Sequence, residues 1–269
     1  MFPYIPVFGK NIPTYSLCIL IAIAAVYILA AKDCKKRSVS VYDLIIVGIV
    51  AVSCGLFGAA LLYALVTYPA GELLAMIRSG DFSFLEKGLV FYGGLIFGIP
   101  AALLGKRLVK LRFADFEHCV IPYLPLGHAI GRIGCLLGGC CYGFAYSGPL
   151  AIYYPNSITG LDPNQGYFPT PLLEFALNLC VCAILLMVRR RKLPKGNLLA
   201  SYLCCYGVVR LITELFRGDA IRGSFLHIST SQWISFALIG VAVIYLIINK
   251  KRSAKAMNHE PTICSEKSP

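Results

Sequence analysis

Gly131-Arg132-Ile133-Gly134-Cys135-Leu136-Leu137-Gly138-Gly139-Cys140-Cys141-Tyr142-Gly143 is the stretch that decides how this chain is read. It lies in an apolar segment that begins near Val120 and carries one charge, Arg132. A guanidinium near the middle of a membrane helix costs roughly 2.5–3.5 kcal/mol on insertion scales. A carboxylate, a water-filled cavity or an anionic ligand must offset that cost. Pairs of small residues four apart (Gly127/Gly131, Gly134/Gly138, Gly139/Gly143) let a second backbone or a ligand come close.

The rest of the chain places this stretch in a bilayer. Of 269 residues 58% are hydrophobic and 14% are charged, with a mean hydropathy of +0.72. Soluble domains are about a quarter charged. The net charge of +12 raises the question of nucleic acid. The basic residues cluster between apolar segments, however, which is the pattern of membrane topology signals and excludes a nucleic-acid stripe. Twelve cysteines are scattered mostly through apolar runs, where free cysteine packs as a small hydrophobe. No Cys-x2-Cys repeat and no histidine at ligand spacing marks a metal site, so neither metal nor cofactor is expected. Cys135, Cys140 and Cys141 form a trio for which packing is the expected role.

Seven apolar segments are expected as transmembrane helices: Thr14–Ala31, Val41–Val66, Leu89–Leu104, Phe116–Tyr142, Leu172–Val188, Asn197–Phe216 and Ser231–Ile248. Such lengths suit a hydrocarbon core of about 30 Å. Tyr68–Gly88 is a polar loop with a short interfacial helix near Glu72–Arg78, and Phe144–Phe168 is an ordered surface loop. Asp115 and Glu117 fall near the positive end of the fourth helix. The fold class is all-α and polytopic, with a transmembrane domain over 1–252 and a disordered tail over 253–269. The loops after the first, third and fifth segments and the tail hold 18 of the 25 Lys and Arg residues. The positive-inside rule then puts the N-terminus outside and the C-terminus in the cytoplasm. No inverted repeat of the transporter kind is seen.

That topology gathers the intramembrane polar groups in the outer half. Tyr206, Arg210, Glu214 and Arg217 share one helical face. Glu174 begins the fifth helix, Tyr92, Gly93 and Gly94 open the third, and Tyr15 opens the first. Two arginines at head-group depth suit a phosphate, which a guanidinium binds with a planar fork. A phospholipid entering sideways would put its phosphate there and its tails in the bilayer. Glycines 93, 94, 131 and 134 would leave room and expose backbone donors. Arg210–Glu214 and Arg132–Glu174 could instead be structural ion pairs.

The order of these motifs resembles bacterial prolipoprotein diacylglyceryl transferases. It includes Tyr15, Tyr92-Gly93-Gly94-Leu95-Ile96 and the Gly-Arg-x-Gly that begins at Gly131. It continues with Pro169 to Glu174, Tyr206-Gly207-x-x-Arg210-x-x-x-Glu214-x-x-Arg217, and Ser229-x-x-Gln232. The resemblance covers about residues 12–250. The family usually has His at Tyr92, and an Asn-x-x-Asn-x-Glu continuation where this chain has Cys135, Gly138 and Cys140. The resemblance implies a multi-pass enzyme of the bacterial plasma membrane that needs no cofactor. It moves diacylglyceryl from phosphatidylglycerol to the lipobox cysteine thiol of prolipoprotein signal peptides. It further implies catalytic roles for Arg132, Arg210, Tyr92 and Glu214. Tyr15, Gly93, Gly94, Gly131, Gly134, Cys135, Glu174, Tyr206 and Arg217 would contact substrate. The competing expectation is a phospholipid-binding or transport protein on the same scaffold.

Overall fold

The computed structural model describes residues 2–7, 10–83, 90–157, 159–191, 197–218, 224–225 and 228–258. Lys87, Lys192, Lys195 and Arg222, used in the topology count, lie outside the described residues, as does the tail from 259.

Long apolar runs become helices wherever the chain has no other way to satisfy its backbone in lipid. A ribbon of β1 (Tyr4–Val7) and β2 (Lys10–Pro13) leads into α1 (Thr14–Lys36). Next come α2 (Val41–Thr67), α3 (Ala70–Ser79) and α4 (Phe91–Leu108). Ser40 Oγ accepts the Asp43 N–H at 3.2 Å and caps α2. The short α3 stops at Gly80, which takes the left-handed conformation at φ 74. It is the short helix expected near Glu72–Arg78.

The expected fourth helix is broken. The chain forms α5 (Phe113–Val120), a 3₁₀ turn over Ile121–Tyr123, and α6 (Leu124–Gly138). Pro122 and Pro125 lack an amide proton and crowd the preceding turn, which explains the break. Then follow β3 (Ile152–Tyr153), β4 (Gly166–Tyr167), α7 (Thr170–Arg189), α8 (Asn197–Glu214), β5 (Ser224–Phe225), β6 (Ile228–Ser229) and α9 (Thr230–Asn258). The three small antiparallel ribbons modify the all-α expectation, and α9 runs past the boundary expected at 252.

Five helical stretches among the described residues are long and apolar enough to span a membrane: Thr14–Lys36, Val41–Thr67, Phe113–Gly138, Thr170–Arg189 and Ser231–Lys251. The other two expected spans correspond to α4 and α8, 18 residues each, with Lys106 and Arg107 ending α4 and Arg210 and Glu214 inside α8. On α9, Val241, Ile244 and Ile247 are exposed, as a lipid-facing surface requires.

Two compact units divide the chain: 31–116, and 1–30 with 117–269. In the first, α4 lies along α2 on a seam of glycines. A Cβ at Gly93 would sit 2.2 Å from Gly58 O, and one at Gly58 would sit 2.5 Å from Phe97 Cβ. In the second, α6 packs on α1. A Cβ at Gly134 would meet Tyr15 Cα at 3.2 Å, and one at Gly127 would meet Val26 Cγ2 at 2.9 Å. Glu117 also reaches beyond its own helix: its buried Oε1 accepts the Leu199 N–H at 2.8 Å and caps α8. Asp115 pairs with Arg112 at 2.6 Å.

Candidate functional site

Glu174 is the centre of the site. It lies in the first turns of α7 and is 3% exposed. An isolated carboxylate so deeply buried would be untenable, and three guanidiniums converge on it. Arg132 Nε of α6 pairs with its Oε2. Arg210 Nη1 of α8 donates to its Oε1 at 3.2 Å, and Arg217 Nη1 lies 3.8 Å from the same oxygen. Arg210 Nη2 donates to Ser231 Oγ of α9 at 2.9 Å. It also lies 3.0 Å from Glu214 Oε2. That last contact is an ion pair off the donor direction, because Glu214 Oε2 has no aligned hydrogen-bond donor.

A knot of irregular backbone brings Arg217 in. Gly143 N–H donates to Phe168 O at 3.0 Å, and Phe144 N–H to Phe216 O at 3.3 Å. Thr170 Oγ1 donates to Phe216 O at 3.0 Å. A Cβ at Gly143 would sit 2.6 Å from Phe216 O, so only glycine admits this crossing. Phe168 stacks between Phe144 and Phe216, with centroids at 5.6 and 4.9 Å. The end of α8 is thus tied to the loop after α6 and to the start of α7.

Three guanidiniums against Glu174 and Glu214 leave one positive charge over. Arg132 is the most open of the three, its side chain 25% exposed against 12% for Arg210 and 4% for Arg217. An intramembrane cluster of this kind, with surplus positive charge and one guanidinium accessible, fits an anionic head group on a lipid.

The family model of prolipoprotein diacylglyceryl transferase matches residues 4–248. The chain belongs to this family. A relative from Clostridium tetani, named phosphatidylglycerol–prolipoprotein diacylglyceryl transferase, is 31% identical over 91% of this chain and 96% of its own length. One from Clostridium perfringens, with the same name numbered 2, is 30% identical over 93% and 95%. One from Leifsonia xyli, again with that name, is 31% identical over 93% and 78%. The chain is a multi-pass membrane protein.

Within this family member the structure gathers Arg132, Arg210, Glu174, Glu214 and Arg217. Both ion pairs raised as structural alternatives are present, and they share members: Glu174 serves Arg132 and Arg210 together. Tyr206 packs on His128 of α6, with centroids at 5.5 Å. The space expected at Gly134 is filled by Tyr15 and Cys18 of α1, whereas Gly131 meets only Ile19 at an ordinary 3.5 Å. Tyr92, Gly93 and Gly94 lie on α4 in the other unit, and the Tyr92 side chain falls outside the described part. Gly93 serves the seam with α2. Cys135 accepts from Arg132 Nη1 at 3.8 Å.

Three partners were not read from sequence. His128 lies four residues before Arg132 on the same face, a spacing that could have exposed it. Tyr202 shares that ring cluster and its hydroxyl lies 3.2 Å from His128 Nδ1. Ser231 has no such signal, because its link to Arg210 crosses helices. The Ser229-x-x-Gln232 motif is a capping box: Gln232 N–H meets Ser229 Oγ at 3.2 Å, and Ser229 N–H meets Gln232 Oε1 at 3.0 Å. In the loop after α6, burial and the neighbouring thiols push the Tyr154 phenol up to about 12.

Proposed function

We propose that this chain is a phosphatidylglycerol–prolipoprotein diacylglyceryl transferase of the bacterial plasma membrane, with its N-terminus outside and its site in the outer half of the bilayer. The convergence of three guanidiniums on Glu174 is the observation that carries the reading, and family membership supports it.

The acceptor is the lipobox cysteine of a prolipoprotein signal peptide. Its sulfur forms a thioether bond to the terminal glyceryl carbon of the diacylglyceryl group. The bond from that carbon to phosphate oxygen breaks, and the electron pair leaves on glycerol phosphate. The thiol proton goes to a base. The nucleophile belongs to the substrate, so the chain must stabilise the departing phosphate and assist loss of the proton.

Arg132, the most accessible guanidinium, takes the phosphate, with Arg210 and Arg217 supplying the field behind it. Their donors are fixed before the reaction by Glu174 and Ser231, and preorganised donors in a dry site stabilise developing charge most effectively. Glu214, with an oxygen free of aligned donors, is one candidate base and Tyr92 the other. Tyr15, Gly131, Cys135 and Tyr206 border Arg132 or its neighbours and shape the head-group space.

Purified protein in bilayer discs, given labelled phosphatidylglycerol and a lipobox peptide, tests this directly. Arg132→Ala and Arg210→Ala should each lower transfer by about 10²–10³, the usual loss of one electrostatic donor. Full activity in both variants would remove the assignment.

A further inference from the structure

The transferase reading has no use for the three thiols beyond Cys135's contact with Arg132, yet the fold draws them together. The Sγ atoms of Cys135, Cys140 and Cys141 all lie within 4.8 Å of one another. On a continuous helix, positions five and six apart would diverge. They converge because α6 stops at Gly138. Gly139 turns left-handed at φ 69, and Cys140 N–H closes back on Cys135 O at 3.1 Å. Cys141 also takes a positive φ of 59, a conformation its Cβ disfavours.

Zinc–sulfur bonds of about 2.3 Å put tetrahedral sulfurs about 3.8 Å apart. The three thiols therefore need only a small contraction to hold such an ion, and thiolates select soft cations. Among the described residues this is the one group of three His, Cys, Asp or Glu side chains close enough to hold a metal. Three protein ligands leave the fourth position open, as in catalytic zinc sites. Three thiolates and a divalent cation sum to one negative charge, and Arg132 Nη1 lies 3.8 Å from Cys135 Sγ to offset it. The fully buried Tyr154 hydroxyl, in the loop after α6, has no hydrogen-bond partner.

We infer that Cys135, Cys140 and Cys141 hold a thiophilic divalent cation of the zinc class, and that its open position receives the acceptor thiol beside Arg132. The second half rests on the transferase reading above. On binding, the acceptor S–H gives its proton to the base of that reading, and the sulfur stays deprotonated on the metal. The bound sulfur then attacks the glyceryl carbon, the carbon–oxygen bond breaks, and the pair leaves on glycerol phosphate. The neutral thioether is a weak ligand and departs. The cation changes neither charge nor oxidation state.

The test uses the full-length chain in detergent. Elemental analysis should find about one zinc per chain, as a single three-thiolate site requires. Cys140→Ser and Cys141→Ser should each lose it and lower transfer by roughly 10², the scale of proton-transfer assistance. Cys180→Ser, a change at an exposed cysteine of α7, should alter neither. In the Co²⁺-loaded chain, a lipobox peptide should intensify the sulfur-to-cobalt absorption, and the same peptide with Ser for Cys should not. Unchanged transfer in chelated, zinc-free protein overturns the proposal, and so does a native disulfide within the trio detected by mass after alkylation. A cobalt response without any transfer supports the metal site and removes the transferase reading instead.

Discussion

The α2–α4 pair and the α6–α7–α8 cluster solve the same problem by opposite means. In a bilayer, apolar surface gives helices little reason to prefer each other over lipid, so close packing and polar links must hold them. The α2–α4 pair uses missing atoms: Gly58 and Gly93 let backbone meet backbone. The α6–α7–α8 cluster uses ions: one buried carboxylate holds Arg132, Arg210 and Arg217. A glycine seam fails when something is added, and an ion cluster fails when something is removed. The ionic solution is the costlier one, because charges must be stripped of water. It appears where the proposed site would meet an anionic head group.

Removing the shared carboxylate should therefore have the largest effect on stability. Glu174→Gln leaves three guanidiniums facing one another with Glu214 as their remaining acid. Breaking a buried ion pair costs about 3–5 kcal/mol. Thermal unfolding in bilayer discs should show a lower midpoint than for any single arginine variant. An unchanged midpoint would mean that lipid or water already screens the cluster, and the contrast between the two regions would vanish.

Adding one methyl group tests the other side. Gly93→Ala puts a Cβ 2.2 Å from a backbone oxygen that cannot swing away. Overpacking typically costs about 1–3 kcal/mol. Gly94→Ala is the internal control, because its Cβ would meet Gly55 O at an ordinary 3.5 Å. The first variant should melt earlier and the second should match the parent. Equal behaviour would show that the seam is looser than its geometry.

The two regions also differ in how far the sequence reveals them. Apolar runs expose α1, α2, α7 and α9, because a bilayer demands uninterrupted apolarity over about 20 residues. The break at Pro122 and Pro125 was written in the chain, yet the run stays apolar through it and reads as one helix. Arg210 and Glu214 are legible as an i, i+4 pair. The sharing of Glu174 by three arginines is not, since the partners stand 36 to 43 positions away and the knot at Gly143 decides their approach. The cysteine trio can be named from the sequence, but its convergence is hidden for a related reason. A helix continued to Tyr142 would splay the thiols, and only the left-handed turn at Gly139 folds them back.

The smallest expected effect concerns a motif that family resemblance alone would leave as a match of letters. Ser229 and Gln232 satisfy each other's amide protons at the start of α9. Ser229→Ala should cost about 1 kcal/mol, the usual loss of an N-cap, and Ser229→Asn, which caps as well, should restore it. The consequence reaches the ion cluster, because Ser231 stands two residues further along and accepts from Arg210 Nη2 at 2.9 Å. A frayed first turn would withdraw that acceptor and leave Arg210 to Glu174 and Glu214. Transfer should then fall slightly with Ser229→Ala and further with Ser231→Ala, with most of each loss in kcat. If Ser231→Ala instead acts through KM alone, Arg210 is a binding group without a role in the reacting state.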